Sequence, residues 1–441
     1  MKHRGRHRRR RQGRALRAAL AGAALALTGA ATMISASQAT VADDPGRLKP
    51  LTAPAERAPM RLTEHRVPQS WLDRLSSSMG RPLDVGAVLA DADRTLRDAD
   101  GCPAAEREAL PVAPAATRAY CWDEADTRGW LPGAVAASGD GDGGSGVIVS
   151  AWSRESRGPA GRGLARVAFV DAGEPAPDPA APDRPRHVSA LLVVPVDGGQ
   201  DYRGLASPVS GMVRHQDKLL VTAGAGDRSA LYVYDLDRIQ RTTVDADAMG
   251  RVPGGWAADG YEYVMPAVAS YRLPGGTGVP GAARPHTLAL DRSTTPAGLV
   301  AGEWVPADGD RPTRLWRYAL STDPARAGLP AVDARGHAQA RRVYETGAAG
   351  VRGLLVHHPS GAEPDWYLAR AADDGPDGRG TLVRQDTGGT RAAECGADRS
   401  QHCWTPGAGA LAYRPETGEV WSQSGRVLFA VPLTSIDGSL G

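Results

Sequence analysis

A short block recurs along this 441-residue chain: a glycine or proline, two or three small apolar residues, a hydrophilic turn, then an apolar strand closing on a Tyr-Asp-like step. The clearest copy starts at Gly211 and reads GMVRHQDKLLVTAGAGDRSALYVYDLDRI. Weaker copies begin at Gly133 (GAVAASGD, VIVSAW, RVAFVD), Pro266 (PAVASYRL), Gly353 (GLLVHHPSG, WYLARA, TLVRQD) and Gly409 (GALAYRPETGEVWSQSGRVLFAVPL). One such unit cannot bury both of its faces. An array of them must therefore stack as a radial all-β assembly or a solenoid. The repeat speaks to architecture and is silent on activity.

The sequence between the copies reads the same way. Runs such as HVSALLVVPV, YEYVMP, TLALD, RLWRYAL and RRVYET alternate with Gly, Pro, Asp and Ser clusters, including Pro253-Gly254-Gly255 and Gly375-Pro376-Asp377-Gly378. These residues reach fixed or positive φ cheaply and so punctuate strands. The expected fold is an all-β β-propeller of about five four-stranded blades with a short N-terminal helical arm. A two-sheet sandwich is the competing fold, but groups of about four strands at intervals of roughly 55 to 85 residues suit blades better.

The first 39 residues have the composition of a signal peptide: a basic stretch from Lys2 to Arg17, an apolar run from Ala18 to about Ile34, and small residues around Ser37-Gln38-Ala39. That run is short against the ~20 residues needed to span a bilayer, so a cleaved leader rather than an anchor is expected. Arg8 to Arg11 raise twin-arginine export, but no bulky apolar pair follows them, which favours the general secretory route. Both routes place the mature chain outside the cytoplasm.

Charge follows from that cleavage. Residues 1–39 carry nine Lys and Arg and no acid, so removing them leaves 43 basic against 50 acidic residues, a net charge of −7. No basic excess remains to release counterions from a polyanion, so nucleic acid is not an expected partner. Lysine occurs only at positions 2, 49 and 218 amid abundant Arg, Ala, Gly and Pro, the bias of a GC-rich genome. The four cysteines fall into close pairs, Cys102 with Cys121 and Cys395 with Cys403. In an exported chain, two short-range disulfides are the default among three connectivities, and neither spacing resembles a zinc site.

Residues 40–60 are Pro-, Ala- and charge-rich and read as a flexible linker. Residues 61–118 read as the helical arm, with Trp71, Leu72, Leu75 and Met79, then Val85, Val88, Leu89 and Leu96, at helical spacing. The propeller is expected over 119–441.

The Gly211 block resembles a repeat in secreted actinobacterial proteins, usually streptomycete, of unassigned function. The closing block ALAYRPETGEVWSQSGRVLFAVPL, CWDEADTRGWLPGAV near Cys121, YEYVMPAVASY and WYLARA extend the resemblance over roughly Tyr120 to Leu433. It implies a secreted β-propeller-like protein with no activity attached. It also implies polar residues, often Gln, His or Glu, just before the innermost strand of each blade. The matching positions here are Pro132, Pro208, Ala267, Arg352 and Ala408 or Gly409, and only Arg352 keeps a strong polar head. These five positions are the expected lining of the channel mouth.

Other constellations have simpler readings. Ser138-Gly-Asp140-Gly-Asp142-Gly-Gly-Ser-Gly146 partly imitates a calcium loop, with Asp140 and Asp142 as weak calcium candidates, but lacks a third acid and the downstream Glu. An acidic hairpin tip is the plainer account, and no other cofactor is expected. Asp123, Glu124 and Asp126 beside Arg128 read as an ion-paired turn. Glycoside cleavage needs two carboxylates about 5–9.5 Å apart, for which Glu262, Glu303, Asp140 and Asp365 qualify by type only. A metal-dependent lactonase would draw Asn, Glu and Asp from several inner strands, and Asn is absent from the sequence. There is no G-x-S-x-G elbow, and the histidines are scattered. Tryptophan and tyrosine dominate the aromatics, and any at a rim would suit stacking on a sugar ring or a peptide side chain.

These observations favour a secreted, monomeric, non-catalytic binding or cell-envelope interaction protein with an extracellular glycan or peptide ligand and no stable membrane span. A carbohydrate-active hydrolase is the alternative, and a decayed copy without channel function is a third reading. Catalytic residues are not assigned from the sequence.

Overall fold

The computed structural model describes residues 44–138, 146–154, 163–173, 184–224, 227–275, 283–359, 363–372 and 378–441. The chain is mostly β and propeller-like, and its strands run in antiparallel groups that follow one another along the sequence. The first group comprises Trp130–Ala137, Val147–Arg154, Ala165–Asp171 and Arg186–Val196. The second comprises Met212–His215, Lys218–Thr222, Leu231–Asp235 and Tyr263–Arg272. Thr287–Asp291, Gly298–Gly302, Thr313–Ala319 and Ala340–Thr346 make the third, and Val351–His357, Asp365–Arg370, Thr381–Gln385 and Thr390–Ala392 the fourth. Ala412–Arg414, Glu419–Ser424 and Val427–Pro432 begin the last group, which is completed by Arg118–Cys121 from early in the chain.

The leading strands of consecutive groups adjoin, and that of the last group returns to that of the first. Small residues at their starts permit this crowding. A β-carbon on Gly133 would lie 2.2 Å from the Val209 carbonyl oxygen, on Gly211 2.6 Å from that of His286, and on Gly353 2.5 Å from that of Gly409. These glycines are places where one group's backbone meets the next, which is packing rather than ligand chemistry.

The Pro266 segment departs from the expected phasing. It does not begin a group but lies inside the long strand Tyr263–Arg272, which pairs antiparallel with Leu231–Asp235. Its first residues run parallel to Arg186–Val196, with Pro266 opposite Val193, so the first two groups merge into one 13-stranded sheet. The third group starts instead at His286-Thr287. Its leading strand carries no initial glycine.

Residues 61–118 do contain the helices Gln69–Met79 and Val85–Ala90, with Leu72, Leu75, Met79, Val85, Val88 and Leu89 buried. The segment around them is also woven into the sheets. Lys49–Leu51 pairs with Ala340–Thr346, Leu62–Arg66 with Tyr263–Arg272, Arg94–Thr95 with Arg186–Val196, and Arg97–Asp98 with Arg118–Cys121. Cys102 bonds to Cys121 and Cys395 to Cys403. Trp122, Trp152, Trp316, Trp404 and Trp421 are fully buried and fill the space within and between the sheets. Among the described residues, no helix is long and apolar enough to cross a membrane.

Candidate ligand-binding cavity

Where the leading strands begin, the chain forms an open cavity of about 1000 Å³. Pro132, Pro208, Arg352 and Gly409 line it together, as does Ala408. Ala267 does not: it is buried in the Tyr263–Arg272 strand opposite Tyr234, among the apolar side chains of the core. The place expected for it is taken by His286, immediately before the third leading strand. A histidine ahead of TLALD was the available sequence signal, hidden by phasing the repeat on Pro266.

Arg352 lies in the strand Val351–His357, with its guanidinium carbon 4.7 Å from the centroid of the Trp304 ring. The His286 ring sits 5.1 Å from the same indole. Burial, and secondarily the neighbouring Arg352, push the His286 pKa down to about 4, so the imidazole is neutral at pH 7. Partial desolvation against the cavity wall lowers the Arg352 pKa, while the residue as a whole stays exposed. Its side chain makes no hydrogen bond or ion pair with any described residue.

Trp304 is held from behind. The Glu303 carboxylate is buried and accepts from Arg314 Nε and Nη2 (both 2.8 Å), from the Arg314 amide (2.9 Å) and from Arg311 (3.1 Å). Arg311 in turn donates to the Trp304 carbonyl (3.1 Å). Arg–carboxylate forks fix geometry as well as charge, so the indole has a rigid base.

The remaining lining is mostly Gly, Pro and Ala, with a few polar side chains among them. Ser210 Oγ donates to the His286 carbonyl (2.9 Å), and Ser153 Oγ accepts from the Val209 amide (3.0 Å). Gln423 is buried and accepts from Ser150 Oγ through its Oε1, while its Nε2 has no partner. Arg379, the second cation of the lining, is already engaged by the carbonyls of Leu110 (2.8 Å), Glu108 (2.6 Å) and Trp404 (3.2 Å).

Glu108 is the one carboxylate among the described lining residues. Glu303 is consumed by its arginines, Glu262 pairs with Arg241 (3.4 Å) and Asp365 with Arg384 (3.8 Å), and none of the three lines the cavity. The described lining thus does not present the facing carboxylates that glycoside hydrolysis requires. Asp140 and Asp142 lie outside the described residues. A cluster of Asp217, Asp235 and Asp237 has metal-like spacing, but Lys218 Nζ contacts Asp217 and reaches Asp235 at 3.2 Å, supplying the countercharge. Near Cys121, Asp126 pairs with Arg94, Asp123 with Arg97 (3.5 Å) and Glu124 with Arg128 (3.9 Å), an ion-paired turn at the surface.

No family model and no curated protein matches the chain. Solved structures with partial likeness include a glucose dehydrogenase (TM-score 0.27, 12% identity, covering 68% of this chain and 80% of that one). A gluconolactonase, XC5397 from Xanthomonas campestris, gives a TM-score of 0.27 at 16% identity, covering 80% and 98%. Drosophila plexin A, in complex with semaphorin 1b, gives 0.16 at 11%, covering 69% and 55%. At such scores no residue role is carried over from them.

Proposed function

We propose that this is an exported five-bladed propeller whose central cavity binds an extracellular ligand without transforming it. The blade count is supported by the closed succession of leading strands beginning at Trp130, Met212, Thr287, Val351 and Ala412. Export is supported by the leader-like first 39 residues and by two disulfides. The observation that carries the binding reading is the cavity itself. It is roomy and walled by Gly, Pro, Ala and Ser, and its described lining carries one cation without a protein partner and a neutral imidazole but no facing acid/base pair.

The test is co-sedimentation of the mature chain with bacterial envelope glycan, alongside an assay for released reducing ends. Retention without cleavage is expected, and Ala410→Trp, which fills the cavity, or Leu131→Trp at its rim, should abolish retention while leaving the unfolding transition in place. Release of reducing ends would establish the hydrolase instead. Retention untouched by both tryptophans would move binding to the outer surface.

A further inference from the structure

Resting on the reading of the cavity as a ligand site, we infer that Arg352, stacked on Trp304 outside the lining, is its recognition point for a carboxylate on a hydroxyl-rich ligand, the chemistry of a uronic acid. Arg352 is solvent-exposed on the cavity wall, so its guanidinium is held by water until a ligand displaces it, and its hydrogen-bonding edge is open to that ligand. The other arginine of the lining, Arg379, has three carbonyls. Arg352 has only the face of Trp304. Stacking holds the guanidinium plane while leaving its N–H edge unspent, and that edge matches a carboxylate with two parallel hydrogen bonds.

The charge count favours a monoanion. Among the described lining residues, one unengaged cation faces the cavity, His286 beside it is neutral, and Glu108 is the sole opposing carboxylate. A phosphate dianion would call for a second free cation or a cradle of backbone amides, and the described lining offers neither as a converging set. The neighbouring groups suit hydroxyls rather than an apolar side chain. The unpartnered Gln423 Nε2 and the hydroxyls of Ser153, Ser210 and Ser424, the last two donating to the His286 and Pro406 carbonyls and so left to accept, are set among glycine, proline and alanine. A sugar ring bearing a carboxylate satisfies both halves of this lining, whereas a peptide C-terminus would leave most of the hydroxyls unused.

The experiment is an NMR titration of the mature protein with D-glucuronate, D-glucose, sulfate and N-acetylglycine, following the Arg352 Nε–H and Trp304 indole N–H signals assigned with Arg352→Gln and Trp304→Phe. Saturable movement of both signals with glucuronate but not glucose is expected, with Arg352→Gln weakening binding about tenfold or more and Arg352→Lys less. Sulfate or N-acetylglycine binding as tightly as glucuronate would overturn the hydroxylated ligand. Glucose binding equally, indifferent to Arg352→Gln, would overturn the carboxylate and leave the cavity as a neutral sugar site. Silence of both signals with every probe would overturn the inference while envelope retention decides the wider reading separately.

Discussion

A β-carbon on Gly409 would stand 2.1 Å from the Gln423 carbonyl oxygen and 2.7 Å from Ser422 Oγ, and neither neighbour is free to retreat, because both belong to the strand Glu419–Ser424. Gly409→Ala should therefore destabilise the protein by about 1–3 kcal/mol, the usual range of overpacking. Gly389→Ala, where nothing lies within 4 Å, should stay within about 0.5 kcal/mol. Urea melts of the pair check the claim, and equal effects would refute it. His187 sets a second expectation. It is buried edge-on to Trp122, its ring nitrogens lack hydrogen-bond partners, and burial pushes its pKa down to about 4, with Arg94 and Arg166 adding to the effect. The 3.6 Å approach of Asp126 is therefore not an ion pair at neutral pH, since the ring is uncharged and Arg94 already holds that carboxylate. Because the unfolded state protons this histidine near pH 6.5 and the folded state only near 4, its stabilisation is complete above pH 6.5. It is lost as pH falls through that interval, by about 3 kcal/mol at most. His187→Phe should flatten that part of the stability–pH curve, and an unchanged slope would remove His187 as its source.

At the level of elements, the strand Arg118–Cys121 decides whether the last group is complete, since it supplies the partner that Val427–Pro432 otherwise lacks. Its own far edge is covered by Arg97–Asp98, and the Cys102–Cys121 bond closes the loop of chain between them. For a sequence separation of 19, replacing both cysteines by alanine should cost about 3 kcal/mol. Hydrogen exchange should quicken first in Arg118–Cys121 and Val427–Pro432. A loss spread evenly over all groups would show that the bond does not serve the closure. The pairing of these strands was not visible in the residues, because strand-like composition does not say which distant strand is a neighbour. What was visible is the local signal: Gly133, Gly211, Gly353 and Gly409 each mark a leading strand, because crowding forbids a side chain there. Thr287 leads its group without a glycine, while Pro266 mimics a start from inside an outer strand, so the repeat was misphased exactly once, at the third group. The site inherited that error. Arg352 was legible by position, whereas His286 and Trp304 required knowing that the Thr287–Asp291 strand leads and that Trp304, two residues past Gly298–Gly302, packs beside it.

Across the whole molecule, the chain before Asp123 supplies strands to sheets formed by residues far downstream. Lys49–Leu51 covers the outer edge of the third group, Leu62–Arg66 lies along Tyr263–Arg272 of the second, Arg94–Thr95 along Arg186–Val196 of the first, and Arg118–Cys121 completes the fifth. Open strand edges template pairing with other chains, and a ring whose last group is one strand short has nothing to hold its ends together. Two consequences follow from deleting residues 46–122. The sheet edges become available to other copies, and Leu75, Met79, Leu96, Tyr120 and Trp122 are withdrawn from the cluster that also holds Trp152, Trp421 and Leu428. Burial of that kind contributes about 1.5–3 kcal/mol per large apolar side chain, comparable in sum to the whole stability of an ordinary domain. The truncated chain is accordingly expected to associate on size-exclusion chromatography and to lose the single cooperative transition of the full protein in urea. A monomer with one transition, displaced by no more than about 1 kcal/mol, would mean that this segment is a dispensable arm and that the downstream strands close the ring unaided.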